Sequence, residues 1–363
     1  MLFFRSMLAL VRYQTGKING YSRMKREGKR SVMAGILFSL FLVCSLAGCG
    51  KERVETSDNT PRYVFRYAEN QPVEHPAVKG AYRFAELVEE RTEGRIQVII
   101  YPEAELGDEA AVIEQLQYGG IDFARVSVMT MGEFIPKLNV LQLPYLYEDA
   151  AHMWRVLDGN IGEELRGEFD PLGLHVLSWY DAGSRNFYTV EQPVTCLEDM
   201  AGLQIRVAES DLMASMVEAL GARPVKMVYS EVYSGLETGK IDGAENNWPS
   251  YESAGHSKVA RYMTLDEHNR IPEVQLVSTQ TWEKLSEEDR EILSQCAMES
   301  AEYQRQLWKE KEEEARKRCE EAGCQVTELS DREKRRFREA VDVVYEEFSG
   351  EYEELVEQIQ KEK

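Results

Sequence analysis

A nine-residue pattern occurs twice in this chain, 120 positions apart, and it constrains the fold more than any other feature. Leu116-Gln117-Tyr118-Gly119-Gly120-Ile121-Asp122-Phe123-Ala124 is matched by Leu236-Glu237-Thr238-Gly239-Lys240-Ile241-Asp242-Gly243-Ala244, with Leu, Gly, Ile, Asp and Ala in register. Each copy reads as the end of an amphipathic helix, a helix-ending glycine and a short strand. Such junctions are common, and nine residues is a modest match. Repetition in register predicts two similar lobes that present the same junction. Ligands of open α/β sheets bind beyond the carboxyl ends of strands. The residues after each copy are therefore candidates to line a cleft: Arg125 and Ser127 in one lobe, Glu245, Asn246 and Asn247 in the other.

The surrounding pattern agrees with an α/β fold. Tyr63–Tyr67 reads as a first strand, Val78–Arg91 as an amphipathic helix with Phe84, Leu87 and Val88 on one face, and Ile96–Ile100 as a buried strand. Alternation of this kind predicts a largely parallel sheet. From Trp282 onward the pattern is mostly helical. Ser286 is an N-cap, Lys309–Arg318 a solvated helix face, and Ser330 with Glu333 a capping box. A chain of 363 residues suffices for two domains with their own cores.

The N-terminal 48 residues read as targeting. Lys25, Arg26, Lys29 and Arg30 precede an uncharged apolar run, Ser31–Leu46, and then Leu46-Ala47-Gly48-Cys49. That tetrapeptide resembles the lipobox of bacterial lipoproteins, which implies cleavage before Cys49 and lipid on its thiol. The run is shorter than the roughly 18 residues of a membrane span. Met24 directly precedes the basic region and is the expected start, with residues 1–23 upstream of it. Gly50–Arg62 is a polar tether. The formal charge is −21. Residues 1–48 hold eight basic side chains and one acidic, so their removal takes the charge to −28. Such a chain has no electrostatic footprint for nucleic acid, and it repels anions at long range. Any anion it binds needs a local cationic clamp. Cys196, Cys296, Cys319 and Cys324 allow two disulfides without demanding them.

Catalytic motifs are absent: there is no G-x-S-x-G, H-E-x-x-H or phosphate loop. His75, His152, His175, His256 and His268 are not spaced for a metal, and no cofactor is expected. The segment Asp181–His268 nevertheless resembles the substrate-binding proteins of TRAP transporters (tripartite, ATP-independent, periplasmic). Four stretches carry the likeness: Gly183–Thr189, Leu197–Val207, Leu220–Met227, and Ser230–Tyr233 running on through Gly239–Asn246. A looser likeness extends from Tyr63 to about Val343.

The resemblance implies two α/β lobes closing on a ligand, with long C-terminal helices and a membrane permease as partner. It implies lobe I over residues 63–183 plus about 272–311, and lobe II over 184–271 plus about 312–363. The family's carboxylate-clamping arginine falls on Arg206, its asparagine on Asn246, and a second arginine near the site on Arg185. His268 matches a histidine of a polar network near the ligand. Chemistry supports the clamp, because a guanidinium presents a rigid fork of donors to a carboxylate. Asn246–Ser253 and Leu265–His268 look like the branch that binds sugar acids, particularly hexuronates. Glu69, Asn70, His75, Arg125, Glu245, Asn247 and Trp248 could supply the remaining contacts. A carboxylate such as Glu245 in the cleft favours hydroxyls over a second ligand carboxylate. The expected function is that of an extracytoplasmic, lipid-anchored solute receptor. Four alternatives stand beside it: a C4-dicarboxylate receptor using Arg185 as a second clamp, a sialic-acid receptor, an extracytoplasmic enzyme with Glu245 and His268 as acid and base, and a ligand-free partner of a sensor kinase.

Overall fold

A computed structural model describes residues 60–362. The expected signal segment, the lipidation at Cys49 and nearly all of the tether lie outside the described residues. In chain order the strands are β1 (Tyr63–Ala68), β2 (Ile96–Tyr101), β3 (Phe123–Ser127), β4 (Leu174–Tyr180), β5 (Arg185–Thr189), β6 (Gln204–Val207), β7 (Arg223–Lys226), β8 (Gly243–Asn246), β9 (Tyr262–Asn269), β10 (Glu273–Ser278) and β11 (Gln325–Glu328).

They form two sheets, ordered β2-β1-β3-β10-β4 and β11-β9-β5-β8-β6-β7. Both sheets are mixed, which departs from the largely parallel expectation. β1 runs parallel to β2 and β3, and β6 parallel to β7 and β8. β10 is antiparallel to both of its neighbours, and so is β5. The physical reason lies in the connections. β5 and β10 are the strands that arrive from the other sheet, through the short links Asp181–Ser184 and Arg270–Pro272. Each starts at the edge where the strands alongside it end, Glu273 beside Ser127 and Tyr180, Arg185 beside Asn269, and so runs opposite to them.

The repeated pattern has a repeated geometry. Gly119 and Gly239 end their helices with φ of +67° and +71°, a conformation glycine adopts without a Cβ penalty. Asp122 donates its backbone N–H to the Arg66 carbonyl, and its carboxylate accepts from the Arg66 N–H at 2.8 Å. Asp242 does the same to Gln204, at 2.8 Å for each bond. Each aspartate thus clasps one residue of the neighbouring parallel strand. Beyond the strands, Ser127 and Asn247 N-cap the short helices Val128–Met131 and Trp248–Ser253.

A 35-residue helix, Glu287–Glu321, is capped by Ser286 and packs on both Pro76–Arg91 and Trp248–Ser253. Within Lys309–Arg318, the stretch expected to be solvated, Ala315 is the one buried residue, between the buried Trp308 and Cys319 that flank the stretch. Gln304 on this helix grips the first link between the sheets: its amide donates to the Asp181 carbonyl at 2.8 Å and its oxygen accepts from the Asp181 N–H at 2.9 Å. The capping box at Ser330 is half made. Ser330 accepts from the Glu333 N–H, but the Glu333 carboxylate turns to the Leu197 N–H and Arg336. The last helix, Glu353–Lys361, returns its Ile359 carbonyl to His152 at 2.8 Å.

Candidate ligand-binding site

Arg206 sits on β6 between β7 and β8, in a strand whose last three residues are buried. Its guanidinium is tied to the backbone: Nε and Nη2 donate to the Met227 carbonyl at 3.0 and 2.8 Å. Among the described residues no carboxylate lies within 4.0 Å of it, and none accepts from Nη1. Burial lowers its pKa, partly offset by Glu245 and Tyr188. A cavity opens beside it. Met227 and Tyr229 line it together with Arg206, and so do Asn70, Glu109 and Thr130. Asn70 and Met227 follow the carboxyl ends of β1 and β7, strands of different sheets, and Glu109 and Thr130 lie on the helices after β2 and β3; ligands of open α/β sheets bind at such ends.

Arg125, on β3, is by contrast saturated. It forms a two-pronged pair with Glu69, its Nε bonding Oε2 at 3.0 Å and its Nη2 bonding Oε1. Nη2 also donates to Asn70 at 2.6 Å, while Nη1 meets Glu109 and Glu273, each at 3.2 Å. Three carboxylates thus surround one buried cation. Burial pushes Glu273 up to about 7, and Glu69 and Glu109 push the same way against the pull of Arg125. Glu109 also accepts from Asn70 at 3.0 Å and from the Thr130 hydroxyl at 2.8 Å, so this network reaches the cavity wall.

A second buried network lies on the other sheet. Arg185 pairs with Glu245 through Nε and, at 3.0 Å, through Nη2, which also reaches the Glu245 carbonyl. His268 lies 3.5 Å from Glu245 and 2.8 Å from Asp266, stacked on Phe187 with ring centroids 4.4 Å apart. Burial lowers the His268 pKa, but Asp266 and Glu245 outweigh it and hold it at about 9. Burial raises Glu245, yet Arg185 and His268 bring it down to about 2.

The other expected residues have structural partners. Asn246 accepts from the Asn247 N–H at 2.9 Å, and Asn247 uses its oxygen as the cap of the next helix. His75 caps Pro76–Arg91 through Nδ1 and meets Ser250 through Nε2 at 3.1 Å. Burial and then Arg125 hold it well below the ordinary histidine range, so it is neutral. Trp248 packs in an apolar cluster with Tyr188, Met227, Tyr251 and Ala315. The structure thus brings Glu69, Asn70 and Arg125 together, and Arg185, Glu245 and His268 together. It leaves Arg206 alone with its cation free.

Sequence reasoning missed Glu109, Glu273, Thr130 and Tyr229. Glu273 carried a signal, being an acid that opens the wholly buried strand Glu273–Ser278. Glu109 looks like any first-turn acid beside the cap Asp108.

Three comparisons bear on this arrangement. The family described as bacterial extracellular solute-binding protein, family 7, matches residues 67–351. A solute-binding protein of Chromohalobacter salexigens is 40% identical over 284 residues, which is 78% of this chain and 84% of the relative. A periplasmic solute-binding protein of a Bradyrhizobium species, solved with galacturonate, has a TM-score of 0.79 and 40% identity, covering 82% of this chain and 99% of its own. One from C. salexigens with bound D-glucuronate has a TM-score of 0.80 and 39% identity, covering 82% and 100%.

Proposed function

Because this chain belongs to the family 7 bacterial extracellular solute-binding proteins, we propose that it is the receptor that captures a hexuronate, of the glucuronate or galacturonate kind, for a TRAP permease. One observation carries the reading. Arg206 is a desolvated cation on a cavity wall, with a backbone carbonyl on one edge of its fork and no carboxylate of its own. A buried charge without a counter-ion is costly, and a ligand carboxylate would relieve that cost. The bond to Met227 fixes the plane of the fork before the ligand arrives, which limits the ordering cost of binding.

The remaining groups on the cavity side suit hydroxyls. Asn70, Glu109 and Thr130 offer amide, carboxylate and hydroxyl atoms in the cavity that Arg206 also lines. A dicarboxylate would need a second unpaired cation, and Arg125 and Arg185 are each already engaged by carboxylates. The enzyme alternative asks His268 to exchange protons near neutrality. An imidazolium held between two carboxylates, with its pKa near 9, is poorly suited to that task. We further assign residues 63–183 plus about 272–311 to lobe I and 184–271 plus about 312–363 to lobe II, with lipid on Cys49 anchoring the mature protein to the membrane.

Isothermal titration of the purified protein against D-glucuronate, D-galacturonate, the corresponding aldarates, succinate and sialic acid tests the assignment. The expected outcome is tight binding of a hexuronate and weak or absent binding of the diacids. Tight binding of succinate, or of no acid at all, refutes it.

A further inference from the structure

Cys319 and Cys324 occupy the two positions that a helix-ending motif brings side by side. The Cys324 N–H donates to the Cys319 carbonyl at 3.0 Å, and the Gly323 N–H donates to the Glu320 carbonyl at 3.0 Å. Gly323 has a φ of +99°. This pair of bonds is the Schellman motif, in which the residue three back from the helix end contacts the residue two beyond it. An apolar pair usually fills those positions. Here two thiols do, held side by side by the two main-chain bonds. Both belong to one apolar cluster with Tyr251, whose hydroxyl lies 3.3 Å from the Cys324 sulfur. A hydrogen bond between the main chains of the two residues keeps their Cα atoms close, and a disulfide needs roughly 4.4–6.8 Å between them.

The surroundings suit thiol exchange. Cys319 lines a broad groove of about 800 Å³ with Lys258, Arg261 and Arg318 on its walls. Of these, Arg261 favours the thiolate of Cys324, and the thiolate is the form that attacks a disulfide. The family is extracellular, and such compartments are oxidising.

We propose that Cys319 and Cys324 form a redox-active pair that closes to a disulfide through exchange with a low-molecular-weight disulfide. The Cys324 thiolate attacks one sulfur of the small disulfide and releases one small thiol. Cys319 then attacks the Cys324 sulfur of the mixed disulfide and releases the second. Two protein thiols are oxidised, one small disulfide is reduced, and both protons leave with the small thiols. The order of attack follows from charge: the Cys319 S–H and Arg261 stabilise the Cys324 thiolate, which holds that thiol below its ordinary range. The closed bond would staple the end of the 35-residue helix to β11, the edge strand beside β9.

The test is to equilibrate the purified protein with oxidised glutathione, both folded and refolded from denaturant, and to quench with N-ethylmaleimide. Both cysteines fall in the tryptic peptide 319–332. That peptide should emerge unalkylated and two hydrogens lighter, with Cys196 and Cys296 alkylated. The oxidised protein should melt about 3 °C higher. In the Cys319→Ser variant Cys324 should stall as a glutathione adduct, whereas in Cys324→Ser the more deeply buried Cys319 should stay unmodified. A doubly alkylated peptide after refolding in oxidised glutathione, or a bridge to Cys296 or Cys196, overturns the proposal.

Discussion

Arg206 is a cation without an anion of its own, and this separates its effect on binding from its effect on stability. Truncating a residue that pairs with a buried ligand charge costs about 2–5 kcal/mol of affinity, roughly thirty-fold or more. Truncating a buried ion that lacks a partner does the reverse to the free protein, because the desolvation cost disappears. Arg206→Met should therefore weaken hexuronate binding at least about thirty-fold while leaving the thermal midpoint of the free protein unchanged or raised. A midpoint lowered along with the affinity would make Arg206 a structural residue. Single residues were legible in the sequence where they broke a local pattern, as Arg206 does on its apolar strand. Their partnerships were not. Arg125 meets Glu69 across 56 positions and Arg185 meets Glu245 across 60. Only the folded register decides that two of three buried arginines are already engaged and the third is free.

At the scale of the element, the twin junctions were legible because glycine and aspartate have local physical reasons to recur. One ends a helix in a left-handed turn and the other clasps the strand alongside. The mixed direction of the sheets was not legible, since it depends on which strands arrive through short links. The two glycines also differ in a way the sequence cannot reveal. A Cβ on Gly239 would meet nothing within 4 Å, whereas one on Gly119 would lie 2.5 Å from the Gln280 side-chain oxygen. Gly239→Ala should cost about 1 kcal/mol, the penalty of the left-handed conformation alone. Gly119→Ala should cost about 1 kcal/mol more, as Gln280 is displaced. Urea denaturation of both variants checks this, and equal losses would show that Gln280 yields freely.

For the whole molecule, the buried charges set a pH profile. Burial raises Glu273 and Glu312 to about 7, and Asp181 adds to the effect on Glu312. A carboxyl whose folded pKa is raised contributes stability in its neutral form, fully present below about 4.5 and lost as pH rises through 7. His268, raised to about 9, contributes stability below about 6.5 that is lost as pH rises through 9. Glu245, lowered to about 2, acts in the opposite sense and loses its contribution as pH falls below about 4.5. Stability should peak near pH 4.5 and fall by roughly 2 kcal/mol or more by pH 9. Denaturant midpoints across that range test the profile, and Glu312→Gln should flatten its alkaline limb. A midpoint that rises from pH 6 to pH 9 would contradict the assignment.

The matched junctions differ in one further respect. Three residues past the shared aspartate, one lobe carries Arg125 and the other Glu245, at equivalent places in the repeat. Each recruits a partner of opposite sign from its own sheet, Glu69 in one case and Arg185 in the other. The first network then gathers two further acids, and the second keeps Arg206 within its field. The first sheet thus carries an acid-rich network and the second a network that holds the free cation in its field. A guest held between them, as the proposed receptor reading requires, would lie in one direction, head toward the cation and tail toward the acids.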